Sequence, residues 1–521
     1  LWRRNCPRSL GSESALSWQK VEPVARQRSF PHLPLVQDAA VQSSARLLWD
    51  RVGALHDGVG QEQTALAAGA RAAGDIPALL ERERLLLTYS GDGFRPGTGG
   101  PTAPADQLAI INNQYYERNG QPLLPIMCHY MEAFSRYTRN ESQVADELSA
   151  IKAAGYTGIR FLDILNNQPF WTGREVNPIN VNRGGISITK TSNYYGKLKD
   201  FLLLCESTGL LVNWSRGDLQ PYSSSQREDH FSNVGTVARE VGINTIAVFE
   251  GVNEGFDNGV SDIASLLPLL NIFSQQAGAS MLRALTSPQT AEAVDVLADH
   301  SYGVPLAMAH GARGGNLAAK LGAIHAIRRD YWPGKLVWQD EPPGTATSGT
   351  TNQYEMDEQG LALMAVESLI CDQAYSVMLK NAVKWNDTLS DDAGFYTVPA
   401  AVAMLPNDLM QWSHILGREN SGAELTSVDP SILGPAVDQR FNLEQGKIVA
   451  IVYPFVSLAA GGTDTRIRSV NRRWVGSAYK FISDSPYVEE FDTFDLEKDE
   501  EQTLDYDPED VRGCLLLGSV G

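Results

Sequence analysis

The sequence predicts an α/β protein: a (β/α)8 TIM barrel with an N-terminal helical arm and a small C-terminal β-domain. Three observations carry that reading. Short apolar, β-rich runs alternate with helical patterns between residues 123 and 379, as parallel strands with crossover helices require. Acidic residues follow the fourth and seventh of these runs, where a barrel keeps its reactive groups. The length of 521 residues leaves room for flanking segments on both sides of a barrel of about 250 residues.

Composition narrows the class further. Hydrophobic residues make up 43% and charged residues 20%, with 46 Gly and 26 Pro, which excludes a collagen-like, wholly disordered or disulfide-framework chain. The formal charge, 43 − 62 = −19, opposes binding to nucleic acid or anionic lipid and suits neutral or cationic partners. Cys6, Cys128, Cys205, Cys371 and Cys514 are odd in number and lack zinc-ligand spacing, so no metal is expected. The longest strongly apolar stretch, Ile448 to Ala460, is too short to cross a bilayer, so no membrane span is expected. No secretory signal is legible at the amino terminus, which leaves the compartment open between an extracellular and a virion-associated setting.

Taken in order, residues 1–34 are basic and proline-punctuated, the character of an arm. From Val41 through Leu48, Val52, Leu55 and Leu66 an apolar stripe recurs at steps of three and four. The stripe suits either a short coiled coil, making residues 41–66 a site of homo-oligomerisation, or an amphipathic helix packed on the next domain. A Gly/Pro-rich linker closes this part, giving boundaries of 1–105, 106–420 for the barrel and 421–521 for the β-domain.

The strand candidates are Leu123–His129, Gly158–Ile164, Leu210–Trp214, Ile243–Phe249, Met281–Leu285, Val294–Ala298, Lys335–Gln339 and Ala374–Leu379. The first crossover is well marked: Val144, Leu148 and Ile151 share a face of a helix over Glu141–Ala154, and Gly155 stops it. A doubly wound sheet competes, but no G-x-G-x-x-G or Walker loop follows an early strand. Val398–Leu416 reads as a further helix, and Phe441–Tyr453 as a hairpin turning at Gln445 and Gly446. Twelve acidic residues against Lys498 alone between Glu489 and Asp510 read as a solvated acidic tail.

The fourth run ends TIAVFEGVNEGFD, placing Asn253 and Glu254 at a barrel rim, and the seventh ends KLVWQDEPPG, placing Glu341 there. Strands four and seven face each other across a barrel mouth, so two carboxyls can flank one bond, as glycoside hydrolysis requires. With these motifs the region of about 121–390 resembles the clan A glycoside hydrolases. That resemblance implies a retaining O-glycosidase without a cofactor, with Glu254 as acid/base, Glu341 as nucleophile and Asn253 holding the sugar. It further implies substrate-binding roles for Arg160 closing strand two, His300 and Tyr302 closing strand six, and Trp385 after strand eight. Trp214 and Trp338 suit core or sugar platform equally. The Asp340-Glu341-Pro342-Pro343 ending departs from the family pattern and leaves Asp340 and Glu250 open as alternatives; strand three lacks the His often found there. The substrate expected is a neutral or cationic oligo- or polysaccharide. The competing function is a non-catalytic carbohydrate-binding or structural barrel within a larger assembly such as a phage tail or virion.

Overall fold

The computed structural model describes residues 107–521 apart from 167–170, 256, 261, 279–280, 288–300, 302, 312–316, 328–331, 333–334, 343–355, 380–387, 393, 416–421, 428–434, 455–465, 483 and 505–512. The arm and the stripe over 41–66 therefore lie outside the described residues. So do His300, Tyr302 and Trp385.

Eight parallel strands form the barrel: β1 (Ile126–His129), β2 (Gly158–Leu162), β3 (Leu211–Ser215), β4 (Ile246–Asn253), β5 (Arg283–Ser287), β6 (Leu306–Ala309), β7 (Leu336–Gln339) and β8 (Gln373–Val377). Hydrogen bonding runs in the order β5-β4-β3-β2-β1-β8-β7-β6, and β5 lies beside β6, so the ring is nearly closed. The sixth strand departs from expectation. It is Leu306–Ala309, which pairs residue by residue with β7; Val294–Ala298 lies outside the described residues.

Strand burial explains the apolar runs that mark them. Each of β1–β4 is buried throughout, because the barrel interior covers one face and helices the other. Besides the short helix Ala133–Tyr137, the helices among the described residues are α1 (Glu141–Ala154), α2 (Tyr194–Thr208), α3 (Ser224–Val241), α4 (Leu266–Ala277), α5 (Leu317–Ala326), α6 (Glu358–Ile370) and α7 (Gly394–Ala403). Their ends follow local chemistry. The Asn140 side chain accepts from Gln143 N at the start of α1, and Gly155 closes it at φ 104°, a conformation that favours glycine. Ser223 and Gln226 form a reciprocal capping box on α3. The helix expected over Val398–Leu416 is shorter: α7 begins earlier and ends at Ala403, before Pro406.

A three-stranded meander over residues 109–123 leads into β1 and docks on β7, where Tyr116 Oη donates to the Val337 carbonyl at 3.2 Å. After the barrel come β9 (Pro435–Asn442), β10 (Lys447–Pro454), β11 (Trp474–Phe481), β12 (Val488–Leu496) and β13 (Cys514–Val520). They build an antiparallel sheet in the order β9-β10-β13-β11-β12, with Ser413–Ile415 beyond β9. The expected hairpin is present, pairing Asn442 with Lys447. A second sheet of Leu425–Ser427, Arg466–Ser469 and Glu501–Thr503 lies with it.

The period-2 alternation of β10 shows why its sequence is apolar on both faces. Ile448, Ala450 and Val452 enter a core shared with the second sheet, whereas Val449, Ile451 and Tyr453 join the barrel core. The acidic stretch expected as a tail is instead, over Val488–Leu496, an edge strand. Its charges are paired across strands: Asp495 with Arg473 at 2.6 Å and Glu489 with Lys480 at 3.3 Å. Among the described residues no helix is long and apolar enough to cross a membrane.

Candidate active site

Parallel strands bring every strand's carboxyl end to one mouth, and the polar residues that follow them meet there. Arg160 near the end of β2 is the hub and is fully buried. It donates to Asn253 Oδ1 at 2.6 Å and lies 3.3 Å from Glu250 Oε2, 2.8 Å from Asp340 Oδ2 and 3.4 Å from Glu341 Oε2. Burial opposes its charge, but Asp340, Glu250 and Glu341 outweigh that cost and raise its pKa, so it stays a cation. Asn253 is held in turn: Ser287 Oγ donates to its Oδ1 at 3.3 Å, and its backbone N–H donates to the Arg216 carbonyl at 2.8 Å.

Glu254 leaves the end of β4 in a left-handed conformation, φ 44°, uncommon for a residue with a side chain. The turn is fixed on both sides. Its carbonyl accepts from Asp257 and Asn258 N–H at 2.9 Å, and Gly255 N–H donates to Thr286 Oγ1 at 2.8 Å. Such a conformation persists only where its surroundings enforce it, and it turns the Glu254 side chain toward the mouth, 22% exposed.

His310, directly after β6, lies between two carboxyls. Its Nδ1 is 3.0 Å from Glu254 Oε1 and its Nε2 is 3.3 Å from Glu341 Oε2, with Asp340 Oδ1 at 3.7 Å. Burial disfavours its charged form, but Glu341, Asp340 and Glu254 prevail and raise its pKa. An imidazolium here hydrogen-bonds Glu254 through Nδ1 and lies at ion-pair distance from Glu341 through Nε2. Glu254, His310 and Glu341 have donor atoms within 4.8 Å of one another, close enough for a cation. Because each ring nitrogen already faces a carboxylate, we read the trio as a bridge between acids.

His129 at the end of β1 completes the floor. Its Nδ1 lies 3.1 Å from the Asp340 carbonyl, and burial, followed by the charge of Arg160, pushes its pKa down to about 3. It is a neutral donor there. Asp340 is also fully buried, and burial pushes its carboxyl up to about 7 against the opposing pull of Arg160.

Of the residues singled out in the sequence, Arg160, Asn253, Glu254 and Glu341 are brought together, with the alternatives Asp340 and Glu250 beside them. His310, His129 and the Glu250 contact were not anticipated. The signal for His310 was available, since it ends the apolar run VPLAMAH. Trp214 and Trp338 are fully buried and hydrogen-bonded, to Asp163 Oδ2 at 2.8 Å and Ser376 Oγ at 3.0 Å, so they are core rather than sugar platforms. The side chains of Asp340 and Glu250 have no exposed surface, against 8% for Glu341 and 22% for Glu254.

The fold is similar to that of a glycoside hydrolase family 5 protein from Bacteroides vulgatus ATCC 8482, with a TM-score of 0.53 and 12% identity over 80% of this chain and 94% of that one. It is also similar to a structure described as a glycoside hydrolase, with a TM-score of 0.52 and 12% identity over 80% of this chain and 97% of that one. No protein-family model and no curated protein sequence matches the chain. At this identity the likeness is one of fold. It agrees with the (β/α)8 barrel that the sequence predicts.

Proposed function

We propose that the chain is a retaining O-glycoside hydrolase, with Glu254 as acid/base and Glu341 as nucleophile. One observation carries the reading: oxygens of these two glutamates, from opposite sides of the mouth, lie within 4.8 Å of each other. That spacing suits a retaining pair, whose carboxyls sit about 5–5.5 Å apart, and leaves no room for the water that an inverting pair must admit between them.

In the first step a Glu341 oxygen attacks the anomeric carbon. The bond to the leaving oxygen breaks, and that oxygen takes the proton of Glu254. In the second step water attacks the same carbon and gives its proton to Glu254, and the ester to Glu341 breaks. Asn253 is suitably placed to hold a sugar hydroxyl. The excess of carboxyls at the mouth and the charge of −19 favour a neutral or cationic oligo- or polysaccharide over an acidic one.

A panel of aryl glycosides and polysaccharides tests the activity, and variants test the roles. Glu341→Ala should remove turnover by roughly 10⁴-fold or more. Glu254→Ala should lose turnover on unactivated glycosides but retain the first step with good leaving groups, and azide should restore the second by attacking the intermediate. Full activity of Glu254→Ala on an unactivated glycoside would overturn the assignment. Sugar binding without turnover by the unmodified chain would favour a binding barrel within a larger assembly.

A further inference from the structure

Asp340 and Glu341 are consecutive and face the same two cations. Arg160 lies 2.8 Å from Asp340 and 3.4 Å from Glu341; His310 Nε2 lies 3.7 Å from Asp340 and 3.3 Å from Glu341. Three more groups surround Asp340. Glu250 from β4 shares Arg160, His129 from β1 donates to the Asp340 carbonyl, and Glu254 occupies the far side of His310. Four carboxyls thus share Arg160 and His310, since His129 is neutral. With Glu254 protonated at the start of a cycle, three carboxyls face two cations, and a buried cluster favours one further proton. Asp340 and Glu250 have no exposed side chain against 8% for Glu341, and of these two Asp340 adjoins Glu341 and faces both cations, so a proton held there bears on the nucleophile.

We propose that Asp340 is a positioning residue that competes with Glu341 for Arg160 and His310, so that when it loses its proton it draws both cations to itself and leaves Glu341 the stronger nucleophile. The inference rests on the glycosidase reading above. Two effects then act in the same direction. Glu341 is less tightly held, and a new negative charge lies behind Glu341 as positive charge grows on the sugar ring in the transition state.

The experiment uses the full chain and an activated aryl glycoside, whose leaving group needs little protonation by Glu254. The unmodified protein should show kcat/KM rising about tenfold through a third ionisation, between the two limbs that belong to Glu341 and Glu254. Asp340→Asn is permanently neutral and keeps an acceptor oxygen for Arg160. Whatever its kcat/KM at low pH, it should lack the rise through that ionisation. A residue of merely structural importance would lower kcat/KM by one factor at every pH, and that result overturns the proposal.

A second measurement does not depend on turnover. In ring-labelled protein, the His310 NMR titration should move to lower pH in Asp340→Asn, because one of the charges that sustain its proton is gone. An unmoved titration overturns the shared-cation argument. If no glycoside is cleaved yet His310 shifts, the cation sharing stands and the glycosidase reading falls. Should Asp340→Asn fail to fold, the unmodified protein decides: a profile needing only two ionisations refutes the proposal, and one needing three supports it.

Discussion

His129 is the residue whose charge state the fold controls most plainly. It is buried against Arg160, and its pKa falls to about 3 from the ordinary 6.5. Between those values the unfolded chain binds a proton that the folded chain does not, so stability rises with pH and falls as pH drops from 6.5 toward 3. The slope from this residue is about 1.4 kcal/mol per pH unit. His129→Gln keeps a donor for the Asp340 carbonyl but cannot titrate. Urea unfolding at pH 6 and pH 4 should therefore show a smaller loss of stability in the variant; an equal loss would mean that the folded protein does protonate this ring. The sequence offered no hint of this role, because a histidine in an apolar strand looks the same whether it is neutral or charged. Asn253 and Glu254 were legible for the opposite reason: the Asn-Glu pair directly after an apolar strand, with a second acid after the seventh run, is a pattern that sequence alone displays.

Among elements, seven of the eight barrel strands were readable from apolar runs, and β6 was not. AVDVLA has the β-branched residues that a strand favours, whereas PLAMA owes its strand state to pairing with β7, a tertiary effect that local preference does not report. Spacing held the correction. A strand at Val294 would leave only residues 286–293 after Leu285, too few for a parallel crossover, which needs about a dozen. The observed gap, 288–305, is long enough. Because the sixth strand was read earlier in the chain, the residue that directly follows β6, His310, was not singled out. Strand packing also sets a strict requirement at Gly158, which opens β2 opposite Leu211. A Cβ there would lie 2.2 Å from the Leu211 carbonyl oxygen, and backbone cannot swing aside as a side chain can. Gly158→Ala should cost about 1–3 kcal/mol or more by parting β2 from β3. An unchanged denaturation midpoint would show that the barrel yields there.

For the whole molecule, the question is whether barrel and C-terminal sheet fold as one. Val449, Ile451 and Tyr453 of β10, Phe481 of β11 and Leu515 of β13 lie in the same apolar core as the barrel strands, so removing the sheet would uncover that core. Arg440 of β9 adds a polar tie across the seam. It is fully buried, pairs with Asp372 just after α6, and donates to the carbonyls of Ile370 at 2.7 Å, Met410 at 3.1 Å and Trp412 at 2.9 Å. Arg440→Ala would take the buried cation away from the Asp372 carboxylate and the donor away from several carbonyls, at a cost of about 3–5 kcal/mol. Pairing Arg440→Met with Asp372→Asn removes the charge on both sides and should recover part of that loss. Calorimetry of the unmodified chain should show the barrel and sheet melting in one transition, and Arg440→Ala should move that transition down without splitting it. Two separated transitions, with only the lower one moved by the variant, would instead make 421–521 an independent domain. The proposed boundary at 420 would then mark a true break in cooperativity rather than a change of secondary structure within one core.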